Sequence, residues 1–314
     1  MRKMSLDVVV PLYNDQEVIE DLCKTVFNVL EGQFKSVRLI LIDDGSYDDT
    51  YQTAKKMRRG EFKKTEVIRL AGNYGQHRAI LAGLRATTAD IVAVMDSDLQ
   101  DRPEHISMMV DRMLEEDTSM AIAKRIRRVD SRMKKITSRL FGAVSNILVP
   151  FKVDPHLGAF RVIRKSVVSQ VCAVKEHTGT PFSMLYSLRV PFTIVELERD
   201  ARIAGTTGYT FKKSLKLASD RIMTYSTKPI RLAIVLGVLF GLFSMGIAGY
   251  SIVNYVIQDK VAPGWTSIVF VTSFFGGLNL LFLGILGEYI GRIYIESRGV
   301  PNYMIQDSTI AEDE

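Results

Sequence analysis

Two aspartates, Asp96 and Asp98, stand one residue apart at the end of the apolar run 90–95, and Gln100 follows them. Like charges this close repel, so something positive is expected beside them. If the backbone stays extended past the run, all three side chains fall on one face, because strand side chains alternate with a period of two. Carboxylate and amide oxygens are hard donors that suit Mg2+ or Mn2+, and no Cys/His cluster competes for a softer metal. The plainer alternative is a solvated turn, since Asp is common in loops.

Three other apolar runs end in polar, turn-forming stretches: "PLYNDQE" (11–17), "DDGSYDDT" (43–50) and "AGNYGQH" (71–77). The runs themselves, 6–11, 37–43, 65–70, 90–95 and 119–124, read as strands. Segments 16–32, 48–59 and 77–88 between them have helical spacing. Strand–helix alternation with nearly continuous apolar strands predicts an α/β domain with a mostly parallel sheet covered on both faces. Such sheets bind ligands at the carboxyl ends of their strands, where the polar stretches lie. "PLYNDQ" has no glycine, so the dinucleotide fingerprint expected after a first strand is missing and an ordinary dehydrogenase is excluded. Within 43–50, Ser46 and Asp49 also fit a helix start with a capping box.

Of the 314 residues, 47% are hydrophobic and the net charge is +6, but the average hides an asymmetry. No charged residue occurs from Leu232 to Ile257 or from Val261 to Gly287. Each run exceeds the roughly 20 apolar residues that cross a bilayer as a helix, so two transmembrane helices are predicted, Leu232–Ile257 and Trp265–Gly287. Bases flank the pair on its outer sides (Arg221, Lys228, Arg231, then Arg292, Arg298), against Lys260 alone in the link. The positive-inside rule then puts both termini and the soluble part in the cytoplasm, at the inner membrane. Cys23 and Cys172 are too few for a disulfide framework and fit a reducing compartment as core residues.

"VVVPLYNDQEVI", "LIDDGSYDDT", "NYGQHRAILAGL" and "DSDLQDRPE", in that order, resemble the successive motifs of glycosyltransferase family 2, and "LGEYIGRIYIESRGVPNY" (286–303) after the hairpin resembles the polyprenyl-phosphate branch of that family. The resemblance implies a GT-A fold, Rossmann-like, divided as a catalytic domain 1–205, an amphipathic juxtamembrane segment 206–229, a transmembrane hairpin 230–290 and a tail 291–314. It implies that Asp96, Asp98 and Gln100 hold the metal and diphosphate. Pro11, Tyr13, Asn14 and Glu17 correspond to the nucleotide-binding loop, Asp43 and Asp44 to the pair at the base and ribose, and Asn73 and Gly75 to a further nucleotide contact. His77 is equally well a helix-start residue without chemistry.

The acceptor side is read from the second half. The segment 123–140 is densely basic, and with a membrane hairpin downstream an anionic lipid headgroup is a more economical partner than nucleic acid. Arg125 and Arg139 lie within it. "HLGAFRVIRK" (156–165) resembles the family segment whose arginines approach the lipid phosphate, which points to Arg161 and Arg164. Where relatives often carry an acid, this chain has His156, with Asp154 upstream as the remaining candidate base. Gly205-Thr206-Thr207-Gly208-Tyr209 lacks the lysine of many relatives, which gives Arg202 more weight.

The reaction implied is inverting transfer of a sugar from a nucleotide-sugar, UDP-linked by resemblance to the bacterial branch, to undecaprenyl phosphate for cell-envelope glycan modification. Dolichyl-phosphate mannosyl or glucosyl transfer from a GDP- or UDP-sugar, or an inactive scaffold of the same fold, are the alternatives. A processive polysaccharide synthase would need a Q-x-x-R-W motif, and the single tryptophan, Trp265, follows Gly264 in the hairpin. A homo-oligomer through the hairpin is compatible with the sequence.

Overall fold

The computed structural model describes residues 2–125, 157–174, 180–197, 226–258 and 264–310. They form two compact units. The first is built on an eight-stranded sheet: β1 (Arg2–Leu12), β2 (Phe34–Asp43), β3 (Thr65–Leu70), β4 (Ile91–Val94), β5 (Met120–Arg125), β6 (Leu157–Arg164), β7 (Phe192–Leu197) and β8 (Ile305–Ser308). Their spatial order is β7-β5-β6-β4-β1-β2-β3-β8. The four central strands β4, β1, β2 and β3 are parallel, while β6 and β8 run antiparallel to their neighbours.

Alternation along the strands builds a core on each face. Val8, Val10 and Leu12, with Leu39 and Leu41, pack with helices α1 (Ile19–Leu30), α2 (Thr50–Arg59) and α4 (Glu104–Glu115). Val9, Ile40, Ile42, Val92 and Val94 face α3 (Gln76–Arg85), α5 (Lys165–Ala173) and α6 (Pro181–Ser187). Strands buried on both sides explain why the runs read as continuously apolar. Helix α3 lies very close to the sheet at Gly83, where a Cβ would sit 2.5 Å from Val9 Cγ1 and 2.6 Å from Ile42 Cδ1.

The second unit holds two long helices, α7 (Lys228–Gln258) and α8 (Trp265–Ser297). Both are long and apolar enough to cross a membrane. Helix α8 continues ten residues beyond the expected end at Gly287, and an Arg292–Glu288 pair at 2.8 Å, one turn apart, lies in that extension. The segment expected as a tail is a correction: residues 300–310 rejoin the first unit, where β8 becomes the edge of the sheet beside β3.

Candidate active site

The loops after β1, β2, β3 and β4 all leave the carboxyl edge of the parallel strands, and they are hydrogen-bonded to one another. Asn14, at φ +55°, donates its N–H to Ser46 Oγ at 2.9 Å and accepts from the Tyr47 N–H at 3.0 Å through its side chain. The Asp15 N–H reaches Thr50 Oγ1 at 2.9 Å, and the Asp15 carboxylate accepts from the Ser97 hydroxyl at 2.8 Å. Asp15 thus ties the first loop to the fourth. Burial pushes its carboxyl up from the ordinary value, against the hydrogen bonds from Tyr13 and Ser97, with Asp48 and Asp98 nearby adding to the rise.

Asp43 and Asp44 are both buried, Asp43 fully. Asp43 accepts from the Ser46 N–H at 3.0 Å and lies 3.4 Å from Arg69 Nε. Asp44 accepts from Tyr74 N–H and Gly75 N–H, both at 2.8 Å, so it clamps the third loop. Burial raises the Asp44 carboxyl, opposed by those two bonds. Besides the ligand role expected of them, the two acids shape loops, and Asp43 Oδ2 keeps no hydrogen-bond partner. Their approach depends on Gly45, at φ +69°, where a Cβ would lie 2.4 Å from the carbonyl carbon of Gly72. Ser46 receives the Asn14 N–H and caps nothing: α2 starts at Thr50 without a side-chain cap bond, and the capping box is absent.

The acid pair is also placed differently from the extended-strand expectation. β4 ends at Val94, residues 97–98 are a turn, and Leu99 adopts φ +53°. Asp98 accepts from the Gln100 N–H at 3.2 Å, closing the turn, and Gln100 is swung inward to 4% exposure. Asp96 and Asp98 stay half-buried at the rim. Asp96 accepts from Gln76 Nε2 at 2.7 Å, a contact across loops that no local pattern pairs.

The donor set fits a hard divalent cation. It offers two half-buried carboxylates and, in Gln100, a buried amide whose Nε2 has no hydrogen-bond partner. Amide N and O are interchangeable by a flip, so the orphaned atom suits a diphosphate oxygen or, turned over, the cation itself. Among the described residues no group of three His, Cys, Asp or Glu side chains encloses an ion. The substrate's phosphates would have to complete the shell, the usual Mg2+ arrangement.

Tyr13 and Tyr47 stand edge to face at 6.4 Å and are exposed, Tyr47 to 88%. Pro11 is buried within β1, in register with Ile42, and Glu17 is exposed before α1. Asn73 is exposed in the clamped loop, and Gly75, at φ +90°, precedes α3.

Of the arginines expected at the acceptor, Arg125 ends β5, which runs parallel to β4, and so lies at the same edge as the acids. Arg161 pairs with Val94 at that edge too. It is only 2% exposed. Its guanidinium lies 3.5 Å over the Phe182 ring, with Nε and Nη2 donating to the carbonyls of Ala159 and Gly158. Burial draws its pKa down to about 10, opposed by the Tyr186 hydroxyl. Phe182 and Tyr186 stand on a helix that the sequence analysis does not predict, and the His77 ring meets Phe182 edge-on at 5.6 Å. Arg164 is a correction: it pairs with Ile91 at the opposite end of β4 and binds Thr118 O and Asp117, so it is not brought to the site. Asp154, His156, Arg139, Arg202 and residues 206–225 of the juxtamembrane segment lie outside the described residues.

A parallel α/β core with carboxylates, amides and exposed tyrosines at its carboxyl edge, antiparallel additions beyond β4 and no glycine-rich fingerprint is the GT-A class of architecture. The chain belongs to glycosyl transferase family 2, whose sequence profile matches residues 7–172. It is 31% identical over 309 residues to the uncharacterized glycosyltransferase YkcC of Bacillus subtilis, covering 98% of this chain and 95% of that one. It is 30% identical over 304 residues to the bactoprenol glucosyl transferase of Shigella phage SfX, covering 96% and 99%. Among solved structures it is similar to the glucosyl-3-phosphoglycerate synthase of Mycobacterium tuberculosis, crystallised with Mn2+, UDP-glucose and phosphoglyceric acid. There the TM-score is 0.50 and the identity 19%, over 70% of this chain and 78% of that one, a likeness of fold.

Proposed function

We propose that this glycosyltransferase moves a sugar, glucose first among candidates, from its UDP donor to undecaprenyl phosphate with inversion at the anomeric carbon. The observation that carries this is the match to the bactoprenol glucosyl transferase across 99% of that protein's length, apolar helices included. The knitted strand-end loops support a donor pocket, with Tyr13, Asn14, Glu17, Asn73 and Gly75 at the nucleotide and Asp43 and Asp44 at its base and ribose while they also fix the loops around it. Asp96, Asp98 and Gln100 would hold Mg2+ or Mn2+, which when bound offsets the diphosphate charge and improves the leaving group.

The acceptor needs little activation. A phosphate monoester has a second pKa near 6, so its oxygen is already anionic at neutral pH. The task left to the protein is positioning, with Arg125 at the right edge of the sheet and Arg139 and Arg202 as further phosphate contacts by resemblance. We assign Arg161 the shaping of the segment 157–161 that faces this edge. Asp154 is the residue to test should a base prove necessary.

The hairpin reading is supported by chain connectivity. Both outer ends of the helix pair lead into the sheet-bearing unit, through the chain before Lys228 and the strand β8 after Ser297. Two crossings return the chain to one side, and the outer bases Lys228, Arg231, Arg292 and Arg298 make that side cytoplasmic.

The test uses membranes containing the full chain, radiolabelled UDP-glucose, undecaprenyl phosphate and Mn2+, with label counted in the organic extract. Label is expected, and EDTA and Asp98→Ala should each remove it by roughly a hundredfold or more. Absence of label with UDP-glucose and with other UDP- or GDP-sugars, from folded protein, would overturn the proposal.

A further inference from the structure

The chain that returns from α8 does more than close the sheet. Its backbone joins β3 through Ile68–Ser308, Arg69–Asp307 and Leu70–Ile305, and it continues one step further, where the Ala71 N–H donates to Met304 O at 2.9 Å. Ala71 opens the third loop, which Asp44 clamps at its other end through Tyr74 and Gly75. That loop delivers Gln76 to Asp96.

The side chains of this strand reach the helices that flank the same loops. Asp307 accepts from the Tyr51 hydroxyl at 2.5 Å and from Lys55 Nζ at 3.0 Å, both on α2. Arg69 lies 5.1 Å over the Tyr51 ring and contacts Asp43 and the Ser46 carbonyl, and Ser46 in turn holds the Asn14 N–H. Tyr303 receives a hydrogen bond from Arg85 at 3.3 Å, at the far end of α3 from Gln76, with the guanidinium 5.5 Å from its ring.

From these contacts we infer that Asp307 and Tyr303 are positioning residues for the nucleoside-diphosphate site, acting from the stretch of chain that follows the membrane helices. The inference rests on the donor reading of the strand-end loops. Asp307 fixes α2 and, through Tyr51 and Arg69, the second loop. The β8 backbone fixes the start of the third loop, and Tyr303 fixes the helix behind it. Among the described residues, none of these contacts involves Arg125 or Arg161.

The test compares the full chain in detergent with Asp307→Asn, Tyr303→Ala and, as a control, Arg2→Gln. The control breaks the Arg2–Asp111 pair, 2.6 Å, at the amino end of β1 and away from the loops. Hydrogen exchange of the ligand-free protein at amides 71–75, UDP titration, and donor and acceptor KM are read for each. Asp307→Asn and Tyr303→Ala are expected to speed exchange at 71–75 and to weaken UDP binding and raise donor KM roughly three- to tenfold, leaving acceptor KM unchanged. Asp307→Glu should recover part of the loss, and Arg2→Gln should move none of these. Faster exchange without any UDP binding by the wild-type chain would sustain the structural coupling and sink the donor reading instead. Exchange and UDP affinity in both variants equal to those of Arg2→Gln would overturn the inference.

Discussion

Gln76 donates from Nε2 to Asp96 Oδ1 at 2.7 Å, joining the first residue of α3 to the first acid of the pair after β4. The bond holds one carboxylate oxygen of Asp96 and leaves that side chain oriented before any cation arrives. Gln76→Leu is expected to keep the fold, because Gln76 is exposed. It should raise the Mn2+ concentration for half-maximal transfer by roughly three- to thirtyfold, in line with the loss of one hydrogen bond to a charged group. A metal titration of transfer rate checks this.

Gly45 stands where two site loops touch. Alanine there would meet the Gly72 carbonyl carbon at 2.4 Å while holding φ at +69°. Left-handed strain and the backbone clash together should cost about 2–4 kcal/mol. Gly32, also at positive φ but with open space around it, provides the comparison. Thermal melting of Gly45→Ala and Gly32→Ala should separate clash from strain, with Gly45→Ala falling further and losing UDP binding.

Arg161 is a buried cation over an aromatic ring, bonded to carbonyls of its own strand. Removing this buried charge relieves its desolvation cost, which offsets the loss of two hydrogen bonds to carbonyls. Arg161→Met is therefore expected to melt close to the wild-type temperature. Acceptor KM should rise roughly tenfold or more with donor KM unchanged, since the bonds that shape residues 157–161 are lost. A rise in donor KM instead would remove the residue from the acceptor side.

Burial, with Arg161 adding to it, holds the His77 imidazole down at about 4. An unfolded histidine takes its proton near pH 6.5. As pH falls from about 6.5 towards 4, the unfolded chain binds a proton that the folded one refuses, and stability drops. Asp15 and Asp44 act with the opposite sign: their carboxyls are raised, so the folded state protonates first and the destabilisation present at neutral pH is relieved on acidification. Melting temperature followed across this window should decline less in His77→Gln than in the wild type.

The sequence by itself determined the α/β class, the places of the first five strands along the chain, the two apolar helices and the four loops that matter. These follow from local pattern: runs buried on both faces are continuously apolar, and polar turn residues must sit where they end. What it could not determine is what each polar side chain meets. Asp96 finds Gln76 and Asp15 finds Ser97 across loops far apart in the chain. Leu99 turns left-handed and carries Gln100 inside, against a strand-alternation argument that needs the strand to continue. Arg164 shares a strand with Arg161 yet falls at the opposite end of the sheet, because three residues of extended chain span about 10 Å. The four-residue strand β8, with all its residues exposed, carries no apolar signal, and only the free edge of β3 gives it a place. Backbone hydrogen bonding to that edge, which no local pattern in residues 305–308 encodes, was decided by the tertiary structure alone.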